Sequence, residues 1–130
     1  MAYLLVVDDD PDAREVLCAY LKKVGHEAEC AADGREALGS VLARMPDAII
    51  LDICMPELDG AGFLKALRSY LGMGSLPVVV LTGVPTSPLV ERARMLRVSS
   101  VLVKGTATPQ DVLHAVEEEL ARDREQLHRP

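Results

Sequence analysis

Short uninterrupted apolar runs alternate along the chain with longer stretches in which apolar residues recur every three or four positions. The runs Tyr3 to Val7, Ala48 to Leu51, Val78 to Leu81 and Val101 to Val103 have the length of strands. Their lack of polar alternation is how strands covered on both faces in a parallel sheet read. His26 to Ala31 alternates only weakly, with Ala28 and Cys30 among polar neighbours, and reads as a poorer strand at an edge. Asp10 caps a first helix and Pro11 opens it, with Ala13, Val16, Leu17, Tyr20, Leu21 and Val24 at helical spacing and Gly25 ending it. Residues 34 to 44 make a second helix with Ala37, Leu38, Val41 and Leu42 inward. Phe63, Leu64, Leu67, Tyr70 and Leu71 stripe a third, and Gly72, Gly74 and Pro77 punctuate the return. A fourth covers Leu89 to Leu96. The fifth starts at Thr108 and Pro109 with Val112, Leu113, Val116 and Leu120 inward.

Five strands alternating with five helices predict an α/β fold, a five-stranded parallel sheet with helices on both faces. A βα unit with its connections takes about 26 residues, so 130 residues accommodate five units in one domain. The expected arrangement is doubly wound and flavodoxin-like, with strand order 2-1-3-4-5.

An apolar content of 49% with 26% charged residues is a globular composition. Twenty acidic against fourteen basic residues leave a net charge of −6, which repels phosphate backbones, so no direct nucleic-acid partner is expected. The apolar runs fall far short of the roughly 18 residues of a membrane span. No basic segment precedes the first of them, so the chain reads as cytoplasmic rather than secreted. Cys18, Cys30 and Cys54 are odd in number and widely spaced, so neither a disulfide framework nor a zinc site is expected. Cys18 and Cys30 read as small core residues, and His26, His114 and His128 as surface residues.

Asp8, Asp9, Asp52, Thr82 and Lys104 each stand where an apolar strand stops at its carboxyl end, so the fold gathers them on one rim of the sheet. With the 2-1-3-4-5 order, the crevice at that rim lies between strands one and three, which carry the three aspartates. Crowded carboxylates either raise a pKa or bind a divalent cation, and hard oxygen ligands on an open rim suit Mg²⁺. Phosphate is the natural remaining ligand. Thr82 offers a hydroxyl donor and Lys104 an ammonium for phosphoryl oxygens, which leaves Asp52 as the nucleophile.

Val-Val-Asp-Asp at 6 to 9, Ile-Leu-Asp at 50 to 52, Met-Pro-x-x-Asp-Gly at 55 to 60, Thr82 and Lys104 together resemble the receiver domains of bacterial response regulators, over about residues 3 to 120. The resemblance implies a two-component phosphoacceptor: Asp52 takes a phosphoryl group, and Asp8 and Asp9 hold Mg²⁺, with the backbone carbonyl of Cys54 as a further ligand. Thr82 binds a phosphoryl oxygen and Lys104 pairs with carboxylate or phosphate. It further implies a switch rather than an enzyme, loaded by a sensor histidine kinase or phosphotransfer protein and read by a downstream protein, as a monomer or a phosphorylation-dependent dimer. Residues 1 to 120 are then the receiver domain and 121 to 130 a charged helical extension or tail. Leu113, Leu120 and Leu127 fall seven apart, too few for a coiled coil.

Two other readings compete. A phosphohydrolase using an aspartyl-phosphate usually carries a second acid two residues after the nucleophile, where Cys54 stands here. A degenerate receiver that binds partners without phosphorylation draws on departures from the family pattern. Val101 replaces an aromatic residue, Gly105 a proline, and Thr106 follows where an aromatic often stands. The complete acid set, Thr82 and Lys104 argue for the phosphorylated form. Without proline the peptide after Lys104 is expected to be trans.

Overall fold

The computed structural model describes residues 1–53 and 60–127. Strands β1 (Tyr3–Val7), β2 (Glu27–Ala31), β3 (Ala48–Leu51), β4 (Val78–Thr82) and β5 (Ser100–Val103) alternate with helices α1 (Pro11–Lys23), α2 (Gly34–Ala43), α3 (Gly60–Lys65), α4 (Pro88–Met95) and α5 (Pro109–Leu127). All strand pairs are parallel, and the order is β2-β1-β3-β4-β5, as expected.

The period of two in each strand divides its side chains between two cores. Leu4, Val6, Ile50 and Val79 meet Leu17 and Leu21 of α1 and Val112 and Val116 of α5. Leu5, Val7, Leu51 and Val80 meet Val41 of α2, Phe63 of α3 and Val90 of α4. Both faces of β1, β3 and β4 are therefore dry, which explains their unbroken apolar runs. Among the described residues no helix is long and apolar enough to cross a membrane.

The helix starts follow the expected chemistry. The Asp10 carboxylate accepts the Asp12 N–H at 3.1 Å, and Pro11 stands in the first turn. At α5, Thr108 and Asp111 form a reciprocal capping box: the Thr108 N–H donates to the Asp111 carboxylate at 2.8 Å and the Asp111 N–H to the Thr108 hydroxyl at 3.1 Å.

Several side-chain placements differ from expectation. Val16 is 62% and Leu42 67% exposed, because α1 buries Leu17, Cys18 and Leu21, and α2 buries Ala37 and Val41, leaving those two on the flank of each stripe. His26 is largely covered, and its Nδ1 accepts the Ala2 backbone N–H at 3.0 Å, fixing the chain before β1. His114 is on the surface beside Glu118, while His128 lies outside the described residues. Cys18 and Cys30 are not isolated core residues: they meet sulfur to sulfur between α1 and β2.

The third helix also differs. After α3 the backbone widens into a π-helical turn, Ala66–Tyr70, closed by the Leu71 N–H on the Ala66 carbonyl. Arg68 sits in this turn, only 8% exposed, and spans to the end of α4. Its Nε donates to the Leu96 carbonyl at 3.0 Å, one terminal nitrogen to Met73 at 2.6 Å and the other to Arg97 at 3.1 Å. Arg97 has φ of 63°, a left-handed helix-ending position that glycine or asparagine usually takes. Arg68 thus performs the capping that the local sequence of α4 lacks. Replacing it with Met should leave three carbonyls without this donor and lower unfolding stability by about 2–4 kcal/mol. Arg68→Lys should recover little, because an ammonium cannot reproduce the planar fork. Urea denaturation of the two variants checks both outcomes.

Candidate functional site

Strand register carries the acids together. Val7 of β1 pairs with Leu51 of β3, so the next residue of each strand, Asp8 and Asp52, stand side by side. The Asp52 N–H donates to the Val7 carbonyl at 2.8 Å, and the Asp8 N–H to the Ala31 carbonyl of β2 at 3.1 Å. Asp8 is 4% and Asp52 5% exposed, while Asp9 is exposed. Carboxylate oxygens of all three lie within 4.8 Å of one another. At that separation two like charges repel by about 3–4 kcal/mol with an effective dielectric near 20. A counter-charge is required.

Lys104 supplies part of it. Its ammonium lies 2.8 Å from one oxygen of Asp8, 3.0 Å from the other and 3.1 Å from Asp52. Burial alone pulls the Lys104 pKa down, but hydrogen bonds to Asp8 and Asp52 and their charges outweigh it, so the net shift is upward. The side chain is aimed by its backbone: the Lys104 N–H donates to the Thr82 carbonyl at 2.8 Å, extending the β4–β5 ladder by one residue. The chain then turns through Gly105 at φ of 84°, and the Thr106 and Ala107 N–H groups both return to the Val103 carbonyl. The Lys104–Gly105 peptide bond is trans, as expected without proline. Gly105 reaches the turn through its left-handed φ, which costs glycine little.

Thr82 ends β4 fully buried, and its Oγ1 accepts the Val84 N–H at 3.1 Å. The structure therefore brings Asp8, Asp9 and Asp52 together at one rim, with Lys104 on Asp8 and Asp52 and Thr82 joined to Lys104 through the backbone. Cys54, expected to offer its carbonyl, lies outside the described residues, as do residues 55–59.

Arg14 lies outside every sequence motif, and Gly60, part of one, gains its physical reason here. The Arg14 guanidinium donates to the Asp8 carbonyl at 2.7 Å and holds the turn that presents Asp8; nothing in its spacing marks it. Gly60 opens α3 against the backbone of the phosphoacceptor candidate: a Cβ there would stand 2.6 Å from both the Asp52 carbonyl oxygen and the Ile53 Cα. The glycine of the Met-Pro-x-x-Asp-Gly motif is needed for this close approach.

The donor set fits a divalent cation. Three carboxylates and one ammonium leave two negative charges in excess, all the anionic donors are hard oxygens, and the exposed Asp9 opens the site to solvent. The cluster is consistent with a Mg²⁺ site.

The response regulator receiver domain family matches residues 4–117. The chain belongs to this family. Over 79 residues it is 47% identical to the response regulator MprA of Mycolicibacterium vanbaalenii, covering 61% of this chain and 33% of that protein. It is 32% identical over 114 residues to the gliding motility regulatory protein of Myxococcus xanthus, covering 88% of this chain and 15% of that protein. The receiver domain therefore spans a third or less of the length of these curated relatives. Chemotaxis protein CheY4 of Vibrio cholerae is similar in structure, with a TM-score of 0.81 and 34% identity over 91% of this chain and 98% of that one.

Gly60→Ala should push the Asp52–Ile53 backbone out of register with Asp8. We expect a loss of about 1–3 kcal/mol of stability and weakened Mg²⁺ binding. The chain has no tryptophan to report the metal, so isothermal titration calorimetry is the appropriate measurement.

Proposed function

We propose that this receiver domain accepts a phosphoryl group on Asp52 and passes the resulting change to a downstream protein. The buried pair Asp8 and Asp52 under the Lys104 ammonium carries the reading. A carboxylate oxygen of Asp52 attacks phosphorus, and the bond to the donor's leaving group breaks as the acyl phosphate forms. Asp8, Asp9, Asp52 and the Cys54 carbonyl would hold Mg²⁺, which when bound offsets the charge of the incoming phosphoryl group. Lys104 keeps its charge beside the acceptor oxygen throughout. The Thr82 oxygen already accepts the Val84 N–H, so its own proton serves as donor to a phosphoryl oxygen.

The donor is a sensor histidine kinase or phosphotransfer protein, working in the cytoplasm. A groove of about 410 Å³ between α1 and the start of α5 reaches the site, bordered by Asp8, Val16, Leu17, Leu81, Lys104 and Pro109. Its apolar wall, with Val16 exposed, supports approach of a protein donor from this side. Val101 has no ring to swing inward, so output runs through Thr82 and the Gly83 to Leu89 segment. The chain acts as a switch and not as a turnover enzyme.

Incubation with Mg²⁺ and acetyl phosphate should add the mass of one phosphoryl group to the wild type and none to Asp52→Asn. Omitting Mg²⁺ should abolish the gain. Unchanged wild-type mass would favour a phosphorylation-independent binding module.

The phosphoryl group should persist. Hydrolysis needs a water held in line with the phosphorus, and the positions expected to border that path carry Cys54 and Val84. A thiol is a weak donor, and the exposed Val84 side chain offers none. Cys54→Asn and Val84→Glu should each speed phosphate loss about tenfold, equivalent to about 1.4 kcal/mol. Phosphate release after donor removal measures this; equal or slower rates in both variants would refute the positioning argument.

A further inference from the structure

We infer that Cys18 and Cys30 form a redox modification site, a thiol pair that closes into a disulfide and cross-links α1 to the edge strand β2. The two sulfurs meet directly, and their Cα atoms stand 7.0 Å apart. Disulfides span Cα separations up to about 6.8 Å, so closure needs only a small inward movement. β2 can make it, because β2 pairs with β1 alone and ends the sheet. The Cys18 sulfur is also 3.9 Å from the Glu29 carbonyl, which keeps it over the strand.

Packing by itself accounts for Cys18, which is buried against Leu4 and Leu21 in the α1–α5 core. Cys30, half-buried on the edge strand, packs against the margin of the same core and meets the Cys18 sulfur. A half-buried thiol touching a fully buried one suits stepwise thiol–disulfide exchange, in which the less covered thiol reacts first.

The oxidant is a low-molecular-weight disulfide. The Cys30 thiolate attacks one of its sulfurs and expels the first small thiolate. The Cys18 thiolate then attacks the Cys30 sulfur of the mixed disulfide and expels the second. The protein loses two electrons and two protons, and one small disulfide becomes two small thiols.

The cross-link closes a short loop with a sequence separation of 12. It also joins the two elements that hold Asp8, since β2 accepts the Asp8 N–H through Ala31 and α1 reaches the Asp8 carbonyl through Arg14. The assignment does not depend on phosphorylation of Asp52.

Reduced wild-type protein incubated with oxidised glutathione at neutral pH should lose the mass of two hydrogens and two of its three alkylatable thiols. Trypsin cuts at Lys22 and Lys23, between the two cysteines, so the peptides carrying Cys18 and Cys30 should stay joined until dithiothreitol separates them. Cys54→Ser should retain the cross-link and Cys30→Ser should lose it. The oxidised form should melt on the order of 5–10 °C higher than the reduced form. An unchanged mass, a glutathione adduct as the end product, or a cross-link through Cys54 would overturn the assignment. A Cys18–Cys30 cross-link without a rise in melting temperature would overturn its role as a staple between α1 and β2.

Discussion

Two carboxylates held side by side in a nearly dry crevice require a fixed counter-charge, and the Lys104 bridge to Asp8 and Asp52 provides it. The other features of the rim serve that contact. Parallel register sets Asp8 beside Asp52, the β4–β5 ladder delivers Lys104 opposite them, and the turn at Gly105 leads the chain away from the site. The bridge offsets only part of the negative charge. The remaining excess makes the site receptive to a divalent cation and, through it, to a phosphoryl group.

The same economy explains how a rigid scaffold supports a responsive rim. Two dry cores clamp β1, β3 and β4 from both faces, so the strand ends that carry the aspartates and Thr82 are fixed by packing. β5 is only half-buried, and the segment after Thr82 is largely exposed, with Ser87 capping α4 through the Leu89 N–H. Few buried contacts hold that side, which is where a conformational response costs least. Arg68 ties the far end of α4 to the π-helical turn and limits motion there.

The strand runs, the helix starts at Asp10–Pro11 and Thr108–Pro109, and the strand-end acids were legible because each depends on local chemistry. Apolar runs of strand length bury on both faces, cap residues bond their own first turn, and a polar residue ending such a run lies on the carboxyl rim of a parallel sheet. Val16 and Leu42 were misplaced because spacing identifies a stripe but not how wide the neighbouring elements cover it. His26, Arg14 and Arg68 were missed for a related reason. Each bonds a backbone group whose position follows from packing, and Arg68 stands in a π turn that α-helical spacing does not foresee.

The sequence by itself therefore determined the α/β class, the single rim and the residues gathered on it, since periodicity and strand-end position are properties of neighbouring residues. Tertiary structure alone decided that Lys104 bridges two acids, that Gly60 lies against the Asp52 backbone, and that Cys18 meets Cys30. These contacts join residues distant along the chain, and their distances follow from strand register and layer packing, which spacing along one chain does not encode.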